Sequence, residues 1–236
     1  MDQVQGKVAI VTGGTRGIGR AIAERLLREG AKVAICGRTA ASTAAAVEEL
    51  KTLGDAVGAA CDVTKPEEVA RFFAASEAAF GPADVLVNNA GEGVFRKVGE
   101  MSIEDWRRNI DLNLNGVFYC TREALPQFAR RGGGFVINIS SLAGKNAFSG
   151  GAGYNASKFG LNGFSEALML DHRYDNVRVS YVMPGSVDTD FSHKGRGGES
   201  WKIAPEDVAE VVAMLLRMPA RTMVSRVEMR PSKPAK

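Results

Sequence analysis

The sequence predicts a doubly wound α/β fold: seven mainly parallel strands with helices on both faces. Short β-branched runs alternate with longer helical patterns along the 236 residues. The strands are apolar without strict alternation, as expected of a parallel sheet covered on both sides. The motifs with chemical character fall just after a strand or on the helix that follows one, and such folds bind ligands beyond the carboxyl ends of their strands. The rhythm is even enough for a single domain over residues 1–236.

Val8-Ala9-Ile10-Val11 reads as the first strand, followed by a helix over 18–28 closed by Gly30. Lys32-Val33-Ala34-Ile35-Cys36 is the second strand, with a helix over 40–53. A third strand spans 57–61. Thr64-Lys65-Pro66-Glu67 has the form of a capping box and opens a helix to about residue 80. The fourth strand covers 84–87. Ser102-Ile103-Glu104-Asp105 opens one long helix to about residue 130. A fifth strand covers 135–139, a helix 152–174 and a sixth strand 177–182. Pro205 starts the last helix, with Glu206 and Asp207 suited to the positive end of its dipole. A strand over 226–230 closes the pattern. Residues 188–203, Gly-rich over 192–200, are expected to form a mobile loop over the site.

Composition excludes several function classes. An apolar fraction of 45% is ordinary for a soluble domain, and the net charge is +3 from 30 basic and 27 acidic residues. No dense basic run with interleaved aromatics points to nucleic acid. No apolar stretch is long enough to span a bilayer, and the first residues lack the build of a signal peptide. Cys36, Cys61 and Cys120 show no metal-ligand spacing and read as small buried hydrophobes. A cytoplasmic protein is expected. His172 and His193 have no partner at metal or triad spacing.

Thr12-Gly13-Gly14-Thr15-Arg16-Gly17-Ile18-Gly19 joins the first strand to the first helix. Glycines there let the backbone turn tightly and approach a pyrophosphate, and the free amides of the helix start attract negative charge. An acidic residue after the second strand would accept from a ribose 2′-hydroxyl and repel a phosphate. The chain has Cys36-Gly37-Arg38-Thr39 instead, and Arg38 with Arg16 suits a 2′-phosphate. Tyr154 and Lys158 sit four apart, hence on one helix face. An ammonium near a phenol lowers a pKa that starts near about 10, giving a proton donor and acceptor usable near neutral pH. Ser141 enters the same site from the end of the fifth strand.

These residues, with Asn88-Asn89-Ala90-Gly91 and Pro184-Gly185, resemble the short-chain dehydrogenase/reductase family in order and interval over about residues 7–230. The resemblance implies a Rossmann-type fold and a nicotinamide cofactor, here NADP(H). Gly13, Thr15, Arg16, Gly17, Ile18 and Gly19 would then meet its phosphates and ribose, with Arg38 and Thr39 at the 2′-phosphate. Asp62 and Val63 would hold the adenine, and Asn89, Ala90 and Gly91 the adenosine ribose side. Pro184, Gly185, Val187 and Thr189 would lie at the nicotinamide. Ser141 would orient a substrate carbonyl, Tyr154 would protonate it and Lys158 would also bond the nicotinamide ribose. Asn113 matches the family's fourth catalytic position and would anchor a proton-relay water. Asn115 competes with Asn113, and Ser140 with Ser141; the thirteen-residue interval to Tyr154 selects Ser141.

Substrate contacts are expected from residues 92–98, 142–153 and 186–201. Glu92, Phe95, Asn146 and Phe148 would make a small, partly polar pocket, and Trp201 either clamps substrate or anchors its loop. The resemblance suggests reduction of a small-molecule carbonyl, with a 3-oxoacyl thioester as one candidate. A sugar or steroid alcohol dehydrogenase is the alternative, and an NADPH-sensing protein without catalysis the rival of another class. The ending Ser225-Arg226-Val227-Glu228-Met229-Arg230-Pro231 departs from the glycine-rich ending of many tetrameric members. A homodimer or homotetramer is expected.

Overall fold

A computed structural model describes residues 4–189 and 201–234. Seven strands form one sheet: β1 (Val8–Thr12), β2 (Lys32–Gly37), β3 (Ala56–Ala60), β4 (Val85–Asn88), β5 (Gly134–Ile139), β6 (Val177–Pro184) and β7 (Arg226–Met229). Their order is β3-β2-β1-β4-β5-β6-β7, and every pairing is parallel. The chain reverses its direction of winding between β1 and β4, opening a crevice at their carboxyl ends.

Alternate residues of each strand feed opposite faces, as the pleat requires. Ala9, Val11, Val33, Ile35, Val85, Val87 and Ile137 pack against α1 (Gly17–Arg28), α2 (Ala40–Lys51) and α7 (Pro205–Arg217). Ile10, Ala34, Leu86, Val136 and Val179 pack against α3 (Pro66–Phe80), α5 (Gly116–Arg131) and α6 (Ala152–His172). Because both faces are covered, apolar runs without alternation were required. Cys36, Cys61 and Cys120, scattered in sequence, are free thiols buried in this second layer; contact with the Cys36 thiol, then burial, pushes Cys61 up, and burial pushes Cys120 up. No helix among the described residues is long and apolar enough to cross a membrane.

Three expectations need correction. The helix opened by Ser102, whose hydroxyl accepts from Asp105 N, is not one regular α-helix. It runs as α4 (Ile103–Ile110), a π-helical turn (Asp111–Asn115) and then α5, with α-region backbone at both joins. Thr64 does not cap α3. Its hydroxyl donates to Asp62 Oδ1 at 2.8 Å, and Glu68, not Glu67, reaches back to accept from Asp62 N at 2.9 Å, so an Asx turn displaces the capping box. The helix over 152–174 ends at His172 and tightens into a 3₁₀ turn, Arg173–Asp175. Of the loop expected over 188–203, positions 190–200, including His193, lie outside the described residues.

Candidate active site

The glycine loop leaves β1 and turns through positive φ at Gly13 (65°) and Gly17 (57°). A Cβ on Gly19 would lie 2.3 Å from Asn89 Nδ2, so only glycine lets the start of α1 approach β4 so closely. Thr12 organises this junction, a role hidden in the sequence because its partners are 77 and 78 residues away. Its hydroxyl oxygen accepts from Asn89 N and Ala90 N, both at 3.0 Å. Asn89 Nδ2 donates back to Thr12 O at 2.9 Å and Gly13 O at 3.2 Å. Two of the predicted cofactor segments are thus tied to each other. Thr189 closes over the loop from the other side, its Cγ2 3.4 Å from where a Gly17 Cβ would stand.

Arg38 is exposed directly beyond β2, and Arg16 is the exposed residue preceding α1. Thr15 packs against Gly37, bringing the glycine loop beside the end of β2. Thr39 caps α2: its hydroxyl accepts from Ser42 N at 3.3 Å. Its side-chain oxygen thus serves the helix. Ile18 lies half-buried in the first turn of α1. Asp62 Oδ1 is engaged by Thr64, and Val63 is buried against Gly116.

Three elements bring the predicted catalytic residues together. Ser141 follows β5, and its oxygen accepts from Ala143 N at 3.1 Å and lies in hydrogen-bond contact with Tyr154. Ser140 instead donates to Asn162 Oδ1 at 2.5 Å, so Ser141 is the serine beside Tyr154. Tyr154 and Lys158 rise from the first two turns of α6, both buried. Lys158 Nζ lies 5.8 Å from the Tyr154 ring centroid and donates to Ile139 O at 2.9 Å. Asn113 is fully buried in the π turn, its Oδ1 2.9 Å from where a Gly91 Cβ would stand; Lys158 Nζ is 3.8 Å from that point. Asn115 instead bonds Asp111 Oδ1.

One charge state differs from expectation, and Asn113 gains a further role. Burial pushes Tyr154 up to about 12, with the Ser141 hydrogen bond pulling the other way, rather than the ammonium lowering it. Burial also lowers Lys158 to about 8, because the dry site disfavours its charge even though Ile139 O accepts from its ammonium. Asn113 spends both side-chain donors on the protein: Glu92 O at 2.8 Å and Ser157 Oγ at 3.1 Å. Ser157, which the sequence did not single out, passes that bond on to Tyr154 O at 2.8 Å. Asn113 therefore positions α6 and the segment after β4.

The substrate side is aromatic. Phe95 stands edge-on to Tyr154 with centroids 5.5 Å apart, and Phe148 lies 5.7 Å from Phe95. Both phenylalanines are partly exposed. Asn109 pins Val94, and Asn155 pins Ala143, Asn146 and Phe148, through backbone hydrogen bonds. Of the expected polar residues, Glu92 pairs its carboxylate with Arg108 at 2.9 Å, and Asn146 is exposed. Pro184 O faces Ser141, Gly185 N bonds Met229 O at 2.9 Å, and Val187 bridges to Ile203. Trp201 stacks beside Lys202, 5.7 Å from its ammonium.

A sequence profile of the short chain dehydrogenase family matches residues 7–199. The chain belongs to that family. An uncharacterized oxidoreductase of Staphylococcus saprophyticus is 34% identical over 233 residues, covering 98% of this chain and 100% of the relative. Among solved structures, an alcohol dehydrogenase of Thermococcus sibiricus complexed with 5-hydroxy-NADP has a TM-score of 0.90 at 31% identity, covering 98% of this chain and 99% of that one. A metagenomic short-chain oxidoreductase in complex with NADP has a TM-score of 0.86 at 38% identity, over 98% and 100% of the two chains. This short-chain dehydrogenase is thus an oxidoreductase with a Rossmann-type sheet.

Proposed function

We propose that this short-chain dehydrogenase is an NADP(H)-dependent carbonyl reductase acting on small ketones or aldehydes with an apolar flank. The observation that carries the reading is the convergence of Ser141, Tyr154 and Lys158 beside the glycine loop. The residues fit a phosphorylated dinucleotide. Gly13, Gly17 and Gly19 leave a cradle that a Cβ would fill or strain, and Asp188 Oδ1 is buried without a hydrogen-bond partner beside Thr189. Arg38 extends beyond β2 where a carboxylate would repel a 2′-phosphate. Arg16 flanks the same crevice, and the two NADP-bound relatives agree with the choice.

When bound, the cofactor supplies hydride to the substrate carbon. Ser141 donates a hydrogen bond to the carbonyl oxygen and holds it against Tyr154. With a pKa of about 12, the Tyr154 phenol carries its proton at neutral pH and delivers it to that oxygen. The Lys158 ammonium then offsets the phenolate charge, at a point where low polarity strengthens the attraction. Asn113, through Ser157, fixes the first turn of α6. Phe95 and Phe148 exclude water and receive the apolar side of the substrate.

Tyr154→Phe should bind NADPH normally and lose at least about 1,000-fold in turnover, within the range for a positioned proton donor. Retained reduction by this variant would overturn the mechanism. An NADPH-absorbance panel of aryl ketones, diketones, aldehydes, sugars and 3-oxoacyl thioesters tests the substrate class, and a preference for sugars would overturn the apolar reading.

We also infer assembly through the outer faces of α5 and α6. Phe118 and Phe159 are 47% exposed there, and no atom stands within 4 Å of a Cβ built on Gly163. Large apolar side chains around a flat glycine surface suit a second copy packed helix against helix.

A further inference from the structure

At the amino ends of the strands, opposite the glycine loop, lies a cavity of about 490 Å³. Its size suits a small metabolite. Lys7, Arg131, Arg173, Arg178 and Arg221 line it, with Asp84 as the one carboxylate among its lining residues. Asp84 is already engaged: Oδ1 accepts from Lys7 Nζ at 3.0 Å and Oδ2 from Val8 N at 2.9 Å, with Arg131 at 3.7 Å. Among the described residues, no carboxylate is within ion-pair distance of Arg173, Arg178 or Arg221.

Arg178 is the telling member. It is half-buried, its guanidinium lies 4.3 Å from the Phe135 ring centroid, and it donates to Met218 O at 3.3 Å. A cation withdrawn from water without a counter-ion is unfavourable unless an anion joins it. Stacking fixes the fork in orientation, and such forks match phosphate oxygens two at a time. Val85, Phe135 and Met223 give the cavity an apolar floor. None of these residues takes part in the chemistry at the other end of the sheet.

We propose that this cavity is a second ligand site, for a small molecule bearing two or more phosphate groups. Arg173, Arg178 and Arg221 hold the phosphates, and the apolar floor accepts the rest. Three guanidinium groups and an excess of four positive charges favour a polyanion over a single carboxylate. The eight residues of β6 separate the cavity from the catalytic crevice by about 25 Å, so the two sites are filled independently.

The test is calorimetric titration of the full chain, saturated with NADPH so that the glycine loop and Arg38 are occupied, using sodium pyrophosphate and ATP. One binding event per chain is expected, weakening as salt rises. Equal affinities would assign recognition to the phosphates alone, and tighter ATP would add the apolar floor; both support the site. Arg173→Gln with Arg221→Gln, both at exposed positions, should weaken binding at least tenfold while leaving NADPH affinity and thermal stability unchanged. Arg178→Gln should do the same if it folds. Absence of binding by both ligands, or affinity unchanged in the double variant, would overturn the proposal.

Discussion

At the scale of single residues, position decides which of two similar side chains acts. Ser140 and Ser141 are adjacent, yet β5 sends one to Asn162 and the other to Tyr154. Arg38 gains its importance from what is missing, a carboxylate after β2. A charge-assisted hydrogen bond contributes about 2 kcal/mol, or roughly 30-fold. Arg38→Asp should therefore lower the ratio of kcat/KM with NADPH to that with NADH by at least about 30-fold, and an unchanged ratio would refute the assignment. Lys158 links burial to pH. Its ordinary value of 10.5 falls to about 8 in the folded protein, so between these values the unfolded chain holds more protons and stability rises with pH. Below pH 8 the buried charge costs roughly 3 kcal/mol. Thermal melts of the cofactor-free protein should show wild type gaining on Lys158→Met as pH rises from 7.5 to 10; parallel curves would contradict this.

At the scale of elements, the π turn is the clearest device. Widening a helix by one residue per turn rotates everything beyond it, and such turns recur at functional sites. Here it buries Asn113 against Glu92 and Ser157 while α4 and α5 each keep their own packing faces. Deleting Leu114 should restore regular α geometry, swing Asn113 out of the site and lower kcat at least about 100-fold while circular dichroism stays helical. Full activity would show that the widened turn is dispensable. The sequence disclosed the helix and its Ser102 cap, because these depend on neighbours within a turn, while Asn113 stands out only by resemblance to the family's motif. It could not disclose the π turn, whose cause is tertiary. Thr64 shows the same limit at closer range, since the local signal of a cap lost to the equally local Asx turn of Asp62. The strands were legible to within a residue or two because burial on both faces leaves a strong apolar signature. The sequence points to Phe95 and Phe148 as pocket residues, but their packing on each other and on Tyr154 arises only through the fold and was not legible.

At the scale of the whole molecule, α6 serves both sides of the protein. Its inner face carries Tyr154, Ser157 and Lys158, and its outer face carries Phe159 and Gly163. Sedimentation velocity should give a dimer or tetramer for the wild-type chain. Phe118→Glu with Phe159→Glu should shift it toward monomer, and a monomeric wild type would remove the basis for the assembly we infer. Because α6 is the shared element, dissociation should reduce kcat before it weakens NADPH binding.

The latch between Thr12 and Asn89 has a consequence for how the chain acquires its activity. β1 is paired on one side by β2, which follows at once, but on the other by β4, which arrives some seventy residues later. Between them a nascent chain holds the whole glycine loop in sequence without the amides that fix it. Competence to hold a dinucleotide is therefore withheld until residue 90 has left the ribosome and the two halves of the sheet have docked. The non-local pairing slows folding, since loop closure precedes its reward. It also ties cofactor capture to assembly of the half that carries the chemistry, so a chain interrupted after β3 would not sequester a nucleotide it could never use.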